Sequence, residues 1–160
     1  MSDEIEIAGN TKVDTPKEWQ QPRLLSILFC DSCKVTDDGK TDVIGIFDRI
    51  YVHPEVRVTP PFMLFTRTAE TADGIMQIVC YAPDGKIPTV VDFERVPKSE
   101  YTPNLPANYQ GITTMNPFYV YSEGVYWFGV FFKGQALGGA GLVVEFRETE
   151  DKQGGTDTYI

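Results

Sequence analysis

Between Leu24 and Phe146 the chain alternates short apolar runs with turn-forming residues. The runs are Leu24 to Cys30, Val43 to Val52, Phe62 to Thr68, Ile75 to Tyr81, Thr89 to Val96, Tyr109 to Met115, Val125 to Phe132 and Leu142 to Phe146. Each is five to ten residues long and rich in Val, Ile, Phe and Tyr. That is the length and composition of strands that bury at least one face. Asp-Gly pairs at Asp38-Gly39, Asp73-Gly74 and Asp84-Gly85 punctuate them. Glycine supplies the positive φ that tight hairpin turns require, so all three pairs predict hairpins. Nowhere do apolar residues recur at helical spacing over a full helix length without an interrupting Gly or Pro. The pattern predicts about seven or eight strands in an antiparallel β-sandwich, immunoglobulin-like with Greek-key or meander connections. A closed barrel is the alternative.

Alternation assigns faces. Met76, Ile78 and Cys80 share one face of their run, and Ile75, Val79 and Tyr81 share the other with Gln77. In the run from Val125, the residues Tyr126, Phe128, Val130 and Phe132 oppose Val125, Trp127, Gly129 and Phe131. Both faces are apolar there. Such a strand is either covered on both sides or turns one face to another subunit.

The flanks differ. Residues 1–22 are mostly polar and charged and read as a flexible or partner-bound arm, 23–146 as the sandwich domain, and 147–160 as a polar tail. The start Met1-Ser2-Asp3-Glu4 lacks the basic and apolar regions of a secretory signal. No apolar stretch reaches the roughly 18 residues of a membrane-spanning helix. Three cysteines cannot make a complete disulfide framework, so a reducing, cytoplasmic setting is the simpler expectation. The net charge of −9 repels phosphate, which argues against nucleic acid and anionic membranes as partners.

Leu28-Phe29-Cys30-Asp31, an Asp-Gly turn and Val43-Ile44-Gly45-Ile46-Phe47-Asp48-Arg49-Ile50 resemble a family of small bacterial β-sandwich domains of unknown function. Members of that family show L-C-D on a first strand, a G-K turn and N-L-I-G-I-F-D on a second. Pro117 and Gly124-Val125-Tyr126-Trp127-Phe128, followed by a Gly turn and a closing strand, are similar as well. The resemblance spans about residues 24–146. The chain departs from it at Asp42, where members more often carry Asn, and in Gly138-Gly139-Ala140-Gly141. The resemblance implies a sandwich and transfers no activity.

Candidate chemistry is sparse. Cys30-Asp31-Ser32-Cys33 is a C-x-x-C without a second pair, so a zinc site would have to recruit His53 and Cys80. In a regular strand i and i+3 face opposite ways, so these two thiols converge only at a bend or bulge. No helix follows to lower a thiol pKa, and two half-buried strand residues are the plainer reading. The run from Asp37 to Asp42 fails the EF-hand pattern, because Gly45 stands where the Glu is required, and reads as an acidic turn. His53, the only His, precedes Pro54 in a loop and has no nucleophile-elbow serine to serve. Asp31, Asp48 and Arg49 read as structural partners on strands. Gly138-Gly139-Ala140-Gly141 lacks the Lys and helix of a phosphate loop and reads as a bulge or close backbone packing. Tyr101, Tyr109, Tyr119, Tyr121 and Trp127 form a candidate ligand or interface set, either packed or arranged to stack on a glycan.

The sequence therefore leads us to expect a non-enzymatic module with no catalytic, cofactor or metal residues. Its expected partners are other copies of itself or another protein, engaged through the arms and the two-sided strand, as in a filament, shell or phage-like particle. A glycan-binding module is the alternative, and a zinc-binding or hydrolytic protein ranks below it.

Overall fold

The computed structural model describes residues 4–7, 11–14, 21–70, 74–94 and 107–148. Every regular element among them is a strand: β1 (Glu4–Ile7), β2 (Thr11–Asp14), β3 (Arg23–Val35), β4 (Thr41–Phe47), β5 (Arg49–Val52), β6 (Phe62–Glu70), β7 (Ile75–Tyr81), β8 (Thr89–Glu94), β9 (Ala107–Met115), β10 (Gly124–Phe132) and β11 (Gln135–Phe146). β1 and β2 pair with each other as an antiparallel ribbon within the segment expected to be an arm. The other nine form two sheets, in the orders β5-β11-β10-β7-β8 and β4-β3-β6-β9. The polar tail beyond residue 148 and the Pro-rich loop carrying Tyr101 lie outside the described residues.

Eight apolar runs become nine sandwich strands because the run Val43 to Val52 divides at Asp48. β4 pairs with β3 in one sheet and β5 with β11 in the other. The Asp48 carbonyl accepts a 2.9 Å hydrogen bond from the Val143 amide and fixes the crossing. Ile50 and Val52 then enter the core from the second sheet. The expected all-antiparallel pairing has one exception, since β5 runs parallel to β11.

Two of the three Asp-Gly signals make hairpins. Gly39 (φ 80°) closes β3–β4 and Gly85 (φ 83°) closes β7–β8. Asp73-Gly74 does not, because β6 and β7 belong to different sheets. The third hairpin of the two large sheets, β10–β11, turns on Lys133 and Gly134, at φ 49° and 76°. Positive φ at both central residues is the turn whose twist matches paired strands.

Burial follows the alternation. Met76, Ile78 and Cys80 of β7 and Tyr126, Phe128, Val130 and Phe132 of β10 are buried. Phe128 meets Phe29 of β3 edge-on at 5.1 Å and Phe62 of β6 at 6.0 Å, so one aromatic cluster joins the sheets. Edge-to-face rings add to the burial of their area. The Tyr126 hydroxyl donates to the Ser122 carbonyl at 2.9 Å, and its burial raises the phenol pKa.

Candidate functional site

β10 is the central strand of the five-stranded sheet, and one of its two apolar faces is only partly covered. On that face Val125 is 52% exposed and Trp127 is 50% exposed. The register carries this face sideways. Trp127 lies opposite Tyr81 of β7 and Gly141 of β11, Gly129 opposite Val79 and Gly139, and Val125 opposite Val143. Val90 of β8, opposite Val79, extends it toward the edge and is exposed.

Three glycines let the rings lie down. A Cβ on Gly139 would stand 2.8 Å from the Trp127 indole nitrogen, and one on Gly141 would stand 3.5 Å from the same ring system. A Cβ on Gly129 would meet Phe131 at 2.9 Å and Tyr81 at 3.6 Å. Gly129 and Gly139 are directly opposed. The aromatic side chains thus rest on a floor without side chains of its own. Gly138 to Gly141 pair in regular register and show the close backbone packing; the bulge lies one residue earlier, where the pairing shifts between Val130 and Phe131 and leaves Leu137 as the extra residue.

The polar groups at the rim are paired with one another. Gln77 Nε2 donates to Asp92 Oδ1 at 3.0 Å, and Arg49 Nη1 bridges Glu145 Oε1 at 2.8 Å. The Arg147 guanidinium lies 3.7 Å from the Tyr51 ring centroid. What this leaves at the centre is dispersion and hydrophobic area with both signs of charge around it.

The five aromatic residues singled out from the sequence are dispersed. Tyr119 and Tyr121 meet at 4.9 Å on the segment between β9 and β10, both partly exposed, with Lys86 Nζ 4.4 Å above the Tyr121 ring. Trp127 belongs to the sheet face. Tyr109 is buried on β9. Tyr101 lies outside the described residues.

Cys30 and Cys33 do come together, with their Sγ atoms 3.3 Å apart. Cys80 is buried on β7 in the core of the sandwich. The His53 Nδ1 accepts a hydrogen bond from the Glu55 amide at 3.2 Å. Among the described residues no three His, Cys, Asp or Glu side chains are grouped to hold a metal ion. Burial pushes the Cys30 thiol up to about 12, with Cys33 and Asp31 adding to it, and burial alone pushes Cys80 up to about 12. Asp31 lies against Gly45, and Arg49 pairs with Glu145 rather than with an aspartate. Asp38 and Asp84 each bridge a lysine two residues on within their hairpin turns, and hydrogen bonds from Thr36 and Lys40 hold the Asp38 carboxyl below its usual range.

The glycine floor is not visible along either strand alone, because Gly139 and Gly141 lie on β11 and Trp127 on β10. The usable signal was alternation: Gly139 and Gly141 repeat at the strand period, one hairpin away from Trp127 and Phe131.

No protein-family model matches this chain, and no curated protein matches it. Among solved structures it is similar to an immunoglobulin-like protein from Pseudomonas aeruginosa, at 11% identity and a TM-score of 0.40, over 79% of this chain and 98% of that one. Two packed sheets and a tyrosine at the start of β10 bonded back to the preceding segment are features of an immunoglobulin-like sandwich. No described helix is long and apolar enough to cross a membrane.

Proposed function

We propose that this chain is a non-enzymatic, immunoglobulin-like structural module that associates through the outer face of its five-stranded sheet, first with a second copy of itself. Assembly into a larger particle, helped by the N-terminal arm, follows from the same reading. The observation that carries it is the half-exposed Trp127 lying on Gly139 and Gly141 in an apolar face. Two sheets pack face to face when each offers such a surface, at a spacing of about 10 Å. Exposed, contiguous apolar area on a soluble protein marks an interaction surface. The self-paired rim supports a protein partner over a sugar, because glycan sites need free polar groups converging beside the ring. The resemblance to small bacterial sandwich domains of unknown function is compatible with this role and adds no chemistry to it.

A glycan-binding role is the second reading. It rests on the Tyr119 and Tyr121 rings, with Lys86 beside them, at one end of the sandwich. The two separate in one pair of experiments. The native mass of the full chain is measured by light scattering behind a sizing column, alongside W127E and a chain lacking residues 1–22. The first reading expects an assembly that W127E dissociates and that truncation weakens. A monomer at every concentration, with tryptophan fluorescence that responds to oligosaccharides, would replace it with the second.

A further inference from the structure

Cys30 and Cys33 stand three positions apart on β3, where regular alternation would point them to opposite faces. Their Sγ atoms are nevertheless 3.3 Å apart. The strand is distorted between them. β3 pairs with β4 through Cys30↔Ile46 and Ser32↔Ile44, and the residue between those two, Gly45, has a φ of 68°. The Asp31 carboxylate lies in the space a Gly45 side chain would take, 2.0 Å from where its Cβ would be. On the other side, β3 leaves β6 at Cys30↔Met63, and the Cys33 amide turns to the Met63 sulfur at 3.2 Å. Glycine at a positive φ, a carboxylate lying over it and a thioether accepting an amide together bend the strand and hold the two thiols side by side.

We propose that Cys30 and Cys33 form a redox-active dithiol that closes reversibly to an intramolecular disulfide by exchange with a small-molecule disulfide of the glutathione class. Closure needs an approach of the two sulfurs from 3.3 Å to about 2 Å. Cys33 is partly exposed and Cys30 fully buried, so the order of events is set. The Cys33 thiolate attacks one sulfur of the oxidised small molecule, forms a mixed disulfide and releases one small thiolate. The Cys30 thiolate then attacks the Cys33 sulfur, forms the Cys30–Cys33 bond and releases the second small thiolate. The two cysteines lose two electrons, the small disulfide gains them, and both thiol protons pass to the released thiolates. Burial holds Cys30 as the thiol, which slows its attack in the second step. Cys80, buried across the core on β7, takes no part.

The test uses the full, reduced chain equilibrated with graded ratios of oxidised to reduced glutathione, then quenched with an alkylating reagent and mapped by mass spectrometry. The expected product is an internal Cys30–Cys33 disulfide with a free Cys80 and no retained glutathione, fully reversed by reductant. In C30S the resolving thiol is gone, and Cys33 accumulates the glutathione adduct instead. The proposal is overturned if the wild-type chain keeps all three thiols in excess oxidised glutathione, if it holds the adduct at Cys33 as C30S does, or if the disulfide formed includes Cys80. The wild-type measurement stands whether or not the variant folds.

Discussion

Neighbouring residues on β10 give the sharpest test of which face is covered. Phe128 is 0% exposed and touches the rings of Phe29, Phe62 and Phe118. Its truncation to alanine removes a large buried side chain and leaves a cavity between the sheets, a loss of about 3–5 kcal/mol. Trp127 is the larger side chain, yet 50% of it is exposed. About half of a ring system that hides roughly 200 Å² when fully buried is then at stake, on the order of 100 Å². At about 25 cal/mol per Å² this amounts to some 2.5 kcal/mol as an upper bound, nearer 2 kcal/mol against a compact unfolded chain. For a domain of this size each kcal/mol moves Tm by about 2–4 °C. W127A is expected to lower Tm by about 4–8 °C, and F128A by about 6–20 °C, under dilute conditions where the chain is monomeric. Thermal unfolding followed by circular dichroism at two or more concentrations measures both. The refuting result is W127A costing as much as F128A in the monomer, which would mean that the outer face is packed within the chain itself.

Further outcomes follow from the same surfaces. G139A places a Cβ 2.4 Å from the Phe128 carbonyl oxygen, a backbone contact that cannot swing away. It is expected to cost about 1–3 kcal/mol in urea unfolding and to lift Trp127 off the sheet, shifting its fluorescence toward longer wavelength. Alkaline pH is expected to weaken the fold. The Cys30 and Cys80 thiols rise from 9.0 to about 12 in the folded chain, so the unfolded chain releases protons first. Stability is complete below about pH 9 and falls as pH climbs from 9 toward 12. C80A should flatten part of that slope in a pH series of denaturant midpoints, and an unchanged slope would show that Cys80 is not the group responsible.

The strand pattern was legible because hydrophobic alternation acts over a few neighbouring residues. Tyr126, Phe128, Val130 and Phe132 could be assigned to one face from spacing alone, and they line the core. The turns at Gly39 and Gly85 were legible for the same local reason. Sheet membership was not. Nothing local at Asp48 distinguishes a continuing strand from one that crosses to the other sheet, since the crossing is fixed by a distant amide at Val143. Asp73-Gly74 has hairpin chemistry, but the longer-range pairings of β6 with β9 and β7 with β10 decide its neighbours. The candidate site shows the same division. The exposed apolar face of β10 could be read along one strand, whereas the glycines beneath Trp127 come from β11 and are matched to it only by register. The meeting of Cys30 and Cys33 required the bend that the sequence analysis named as a condition, and Gly45 on the partner strand marks its place.

The chain is proposed to associate through the outer face of β10. The most direct measurement is hydroxyl-radical footprinting of the full chain across a concentration series that spans association, read at Tyr81, Val125 and Trp127 against Tyr119 and Tyr121. The first three are expected to lose reactivity together as the native mass rises, while the two loop tyrosines keep theirs. Association that leaves Trp127 as reactive as in the dilute chain, or a chain that stays monomeric throughout, would contradict it.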